Sequence, residues 1–240
     1  MSTRFAAVVM TVASVVTYAT AESREPADAE GVLAPRGLEP ASVPRPGDPF
    51  ATRLVWIDPA GVAVGLEAVA RDEARSLLRK MGASVSWRRG NAGEIARPGE
   101  VRVILLDRGA ARRPDIPILG ATPSRFEGAP FVWVHVPNVR AAMGLCPQGP
   151  LAAIDPPEVR SLAIALGRVV AHEVVHALAS SVPHGAGLMS ARLTRRQLTA
   201  AALPIDPEVG LAVRAALRGE PSLSAADAGV LAAAAAGKER

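Results

Sequence analysis

Between Asp155 and Pro183 the chain can build only one kind of element. Asp155 suits a helix N-cap, Pro156 suits the first helical position, and Glu158 falls three residues after the cap. Most residues from Leu162 to Val175 are apolar. Pro183 cannot continue a helix, so the pattern predicts a helix through Leu178 or Ala179 that stops before it. The last two turns carry His172-Glu173-Val174-Val175-His176, and His184 follows just past the break.

The segments around this helix set the fold class. Thr52–Asp58, Ser84–Arg89, Val101–Arg108 and Pro130–Val136 have strand composition, the last stopped by Pro137. Between the first two, Leu66, Val69, Ala70, Ala74, Leu77, Leu78 and Met81 recur at three- and four-residue spacing, which is one apolar helical stripe. Arg108–Gly128 reads as a Pro/Gly-rich loop region. Thr194 to Gln197 has capping-box spacing, and Asp206-Pro207-Glu208 opens a further helix to about Arg218. The expectation is an α+β domain in which a small mixed, twisted sheet packs on two main helices. Its core is Val, Leu, Ile and Ala, because aromatics are only 3% of the chain. Trp56, Trp87, Trp133, Phe126 and Phe131 are the expected bulky anchors.

The histidines suggest a chemistry. Residues four apart on a helix lie on one face, with Cβ atoms about 5–6 Å apart. His172 and His176 can therefore aim both imidazoles at one point, and zinc–nitrogen bonds of about 2.0–2.1 Å suit that geometry. Glu173, turned about 100° around the helix, sits beside such an ion rather than on it. A hydrolytic zinc site needs this division: an ion that polarises a carbonyl and activates water, and a carboxylate that takes and returns the proton. A third ligand must come from the chain after the helix. His184 lies there, in a turn shaped by Pro183, Gly185 and Gly187, with Leu188-Met189 placed beneath the site. His135, on the strand before the helix, is the competing ligand, or else a cleft or structural residue.

The stretch Gly167–Met189 resembles the metzincin clan of zinc metallopeptidases. That pattern is His-Glu-x-x-His-x-x-Gly-x-x-His followed by a methionine turn. It is more similar still to a group of secreted bacterial metzincin-like proteins with a late third histidine and a Gly-Leu-Met ending. The resemblance covers Arg53 to about Leu217. It implies one catalytic zinc ion held by His172, His176 and His184, with Glu173 as general base, Met189 as the Met-turn methionine and His135 as a candidate cleft residue. It also implies a peptide or protein substrate. Two departures stand out: Ala179 replaces the turn glycine, and the third histidine comes two residues late. A slightly longer helix and a wider turn at Ser180–Pro183 are expected to absorb both. The alternative is a non-catalytic secreted domain that binds zinc or peptides, and a third reading is a hydrolase of non-peptide amides or esters.

The flanks complete the expectation. Arg4, the apolar run Phe5–Tyr18 and Ala19-Thr20-Ala21 read as a signal peptide over residues 1–21 with cleavage near Ala21, against the alternative of an uncleaved anchor. The protein is then secreted or periplasmic, with no stable membrane association after cleavage. Residues 22–50 hold six prolines and read as a disordered linker or short pro-region. The metallopeptidase domain spans 51–220, and 221–240 is an Ala-rich tail. The net charge of +4 is spread over Arg88-Arg89, Arg112-Arg113 and Arg195-Arg196 without interleaved aromatics. These pairs read as solvated surface, and no nucleic-acid partner is expected. Cys146, the single cysteine, reads as a small buried thiol, with intermolecular pairing or metal ligation as alternatives. A monomer is expected.

Overall fold

The computed structural model describes residues 48–113, 116–123 and 129–220. The expected signal peptide at 1–21, the proline-rich segment up to residue 47, Phe126 and the tail at 221–240 lie outside the described residues.

Strand β1 (Ala51–Ile57) leads through helix α1 (Glu67–Lys80) to β2 (Ser84–Arg89), and the two strands pair in parallel. Strand β3 (Glu100–Leu106) lies on the other side of β1, also parallel. A two-stranded antiparallel ribbon of β4 (Ala110–Arg113) and β5 (Ile116–Ile118) follows. The chain returns to the main sheet as β6 (Gly120–Ala121), and β7 (Phe131–His135) pairs in parallel with β3. β6 pairs antiparallel with β7, giving the order β2-β1-β3-β7-β6. The sheet is therefore mixed but mostly parallel. Helix α2 (Val136–Ala142), the long helix α3 (Pro156–Leu178), and the short α4 (Arg195–Thr199) and α5 (Pro207–Leu217) complete the fold.

The alternation along the strands decides which face the helices cover. Leu54 and Trp56, Val101, Val103 and Leu105, and Val132 and Val134 point into one core. α1 adds Ala70, Ala74, Leu77 and Leu78, and α3 adds Leu162, Leu166, Val169, Val170 and Val174. α1 and α3 pack on each other, and both contact the sheet. By length and hydropathy α3 could cross a membrane, but 72% of its most apolar stretch is buried inside the protein.

Several local readings are revised. The expected loop region at Arg108–Gly128 contains β4, β5 and β6. Pro137 does end β7, but it also sits in the first turn of α2, where a missing N–H costs nothing. Asp155 caps α3 without a side-chain hydrogen bond. Pro156 and Pro157 remove two of the N–H groups a cap would serve. Trp133 is not a core anchor. It alternates with Val132 and Val134, faces away from α3 and is 37% exposed, in edge contact with Phe131. Arg88 is not free surface: it reaches Glu100 at 2.8 and 2.9 Å and Glu94 at 2.9 Å. Cys146 is exposed rather than buried, because it lies in the loop after α2.

Candidate metal centre

α3 positions the first two histidines by burying the helix that carries them. His172 is 7% exposed, His176 is half-buried, and their ring centroids are 4.9 Å apart. The helix is pinned near this point by Arg168, a buried guanidinium one turn earlier. Its Nε donates to Glu73 of α1 at 2.8 Å, and its two terminal nitrogens donate to the Gln197 and Ala200 carbonyls at 2.7 Å each. A buried cation this fully satisfied locks α1, α3 and the α4 segment together.

The chain leaves α3 without left-handed geometry. Ala179 adopts φ −130° and ψ 76°, its N–H still bonds Val175, and Val182 N–H bonds the Ala179 carbonyl. The turn that follows brings His184 back beside His172 and His176. A 3₁₀ turn, Gly187–Met189, then packs against α3. Gly187 is required there. Its φ is +60°, and a Cβ would overlap the Pro204 carbonyl oxygen. Met189 is buried in the core cluster next to Leu188.

Nitrogens of His172, His176 and His184 all lie within 4.8 Å of one another, so the three residues form a cluster that could hold a metal ion. The donor set is compatible with a metal ion. His176 Nε2 and His184 Nε2 are 3.2 Å apart, close to the roughly 3.3 Å between ligands that bonds of about 2.0–2.1 Å imply. His172 Nδ1 lies 2.8 Å from the Leu188 carbonyl, which makes it the N–H nitrogen and leaves Nε2 with a lone pair. Burial holds both helix histidines neutral. It lowers His172, aided by charge on His184, and pushes His176 down to about 4, with His172 and His184 adding to the effect. Protons therefore compete weakly for the nitrogens a cation needs. Burial runs from His172 (buried) through His176 (half-buried) to His184 (exposed).

Glu173 is outside the three-nitrogen cluster and only 7% exposed. Burial pushes its carboxyl up to about 7, while the Thr122 hydroxyl pulls the other way. Thr122 Oγ1 lies 2.8 Å from Glu173 Oε2 and 2.9 Å from the Glu173 carbonyl oxygen. Gly120, two residues earlier on β6, lets the strand come this close: a Cβ there would stand 2.6 Å from Glu173 Cγ. His135 is not brought into the cluster. Its Nδ1 lies 2.8 Å from the Arg108 carbonyl, and strand alternation turns it to the sheet face away from α3.

The sequence reading missed Thr122, the Leu188 carbonyl and Arg168. The first two act across 51 and 16 residues and leave no local pattern. Arg168 did leave one, as a lone charge amid an apolar helical run.

Comparison of the chain with protein-family models, with curated proteins and with solved structures found no match.

Proposed function

We propose that this protein is a secreted zinc-dependent peptidase of metzincin type, with His172, His176 and His184 as ligands and Glu173 as general base. The observation that supports it best is the pairing of three convergent imidazoles with a buried carboxylate that is not one of them. A purely structural ion has no use for such a carboxylate. Zinc, when bound, would polarise the scissile carbonyl and lower the pKa of water. Glu173 would take the proton and pass it to the leaving amine. Leu188 fixes the His172 tautomer, and the wall of β6 beside Glu173 limits water. The signal-peptide pattern at 1–21 supports export.

β6 covers the edge of β7 through Gly120↔Val134 and Ala121↔Trp133. An extended peptide would therefore add along β6. A cavity of about 450 Å³ lined by Lys80, Ile205, Asp206 and Arg214 among others includes no site residue.

Purified protein should carry about one zinc and cleave an unstructured protein such as casein. Glu173→Gln should keep the zinc and lose cleavage by about 100-fold or more. Equal cleavage by Glu173→Gln would refute the assignment. Tight zinc binding with no cleavage of any peptide library would favour a non-catalytic binding domain.

A further inference from the structure

We infer that Thr122 is a positioning residue that sets the orientation of the Glu173 carboxylate. The inference deepens the proposed function and rests on Glu173 being the general base. Three observations carry it. The Thr122 hydroxyl is 2.8 Å from Oε2 and 2.9 Å from the Glu173 carbonyl oxygen, so its single proton is shared between the carboxylate and the backbone of the same residue, and both contacts fix where Glu173 sits. Among the described residues Oε1 receives no hydrogen bond, so the two oxygens are inequivalent: one is held and the other is available for a proton. Gly120 brings the β6 backbone against Glu173 Cγ, which stops the side chain from swinging towards the strand.

These contacts tie the base to the sheet rather than to its own helix. A glutamate on a helix has three side-chain torsions, and among the described residues no other α3 side chain hydrogen-bonds its carboxylate. The constraint comes from Gly120 on β6 and from Thr122, the residue just past its end, both of which approach the Glu173 side chain. Extended substrate is proposed to pair with this same strand, so one element would position both the substrate backbone and the base. Alignment of this kind matters, because displacing a reacting group by about 1 Å can cost about 100-fold in rate.

The test uses the full-length, zinc-loaded protein and three variants: Thr122→Val, which keeps the shape and removes the hydroxyl, Thr122→Ser and Glu173→Gln. Thr122→Val should lower kcat by about 10–100-fold with KM within about twofold and zinc content unchanged. Thr122→Ser should recover most of kcat. An unchanged kcat in Thr122→Val, a loss confined to KM, or loss of zinc would overturn the inference. The second readout needs no activity. In a double-mutant cycle of urea unfolding with Thr122→Val and Glu173→Gln, the two sites should couple by about tenfold or more in the unfolding equilibrium constant. If the wild-type protein cleaves nothing, the peptidase reading fails. The cycle then still decides whether Thr122 holds Glu173, and coupling below about twofold sinks that claim.

Discussion

Gly187→Ala tests whether the turn after the third histidine supports the metal centre. Gly187 sits at φ +60°, and a Cβ there would overlap the Pro204 carbonyl oxygen and stand 2.8 Å from its carbon. The next residue, Leu188, donates its N–H to that same Pro204 carbonyl at 2.9 Å and offers its own carbonyl to His172 Nδ1 at 2.8 Å. Left-handed backbone costs alanine about 1–2 kcal/mol, and relieving an overlap in packed surroundings costs about 1–3 kcal/mol. If the turn keeps its place, the metal-free protein should lose about 2–5 kcal/mol of stability by those two terms. If the turn yields instead, the Leu188 carbonyl leaves His172, and zinc affinity should fall about 10–100-fold as the ring loses its orientation. Urea unfolding of metal-free protein reads the first outcome, and a zinc titration against a competing chelator reads the second. Stability within about 0.5 kcal/mol of wild type, together with unchanged zinc affinity, would show that this turn does not brace His172.

Other perturbations test separate parts of the molecule. Arg168→Met should destabilise the protein by about 3 kcal/mol, because Glu73 and the Gln197 and Ala200 carbonyls lose their donor; thermal unfolding measures it. Arg88 holds the Glu100 carboxyl down at about 2. A carboxyl whose folded pKa is depressed stabilises the fold above its unfolded pKa, so this contribution should fade as pH drops from about 4.5 towards 2 and be absent in Glu100→Gln, as acid titration of urea midpoints would show. His184→Ala should weaken zinc binding by more than the roughly 10–100-fold expected for a lost supporting hydrogen bond, while His135→Ala should leave zinc stoichiometry unchanged. Metal analysis of the two variants side by side checks both.

Much of the site could be read from the sequence because its signals are local. His172 and His176 show themselves through helical spacing, and the helix shows itself through Pro156 and Pro183. The strand–helix–strand order from β1 to β2 was legible for the same reason. What escaped depends on distant pairing. β6 is only two residues long, too short to show alternation, and its role exists only because it docks on β7 beside α3. Thr122 lies after it and reaches Glu173 across 51 residues. Trp133 was misplaced because aromatic size suggests burial, while strand register, set by Val132 and Val134, turned it outward. Arg88 was misread because its partner Glu100 stands twelve residues away on a strand that is not its immediate neighbour.

The three imidazoles stand on unequal ground. Two belong to a helix that is already ordered by the core, and the third belongs to an exposed loop. Binding a cation therefore asks little of His172 and His176, whose freedom was given up when the protein folded. Any ordering that binding demands falls on the segment carrying His184, at about 1–2 kcal/mol for each backbone residue brought to rest. Pro183 already removes part of that freedom, because its ring fixes φ immediately before the ligand. Affinity for the metal can thus be tuned in this loop without altering any ligand: a stiffer segment would hold the ion longer, and a glycine at residue 183 would let it go.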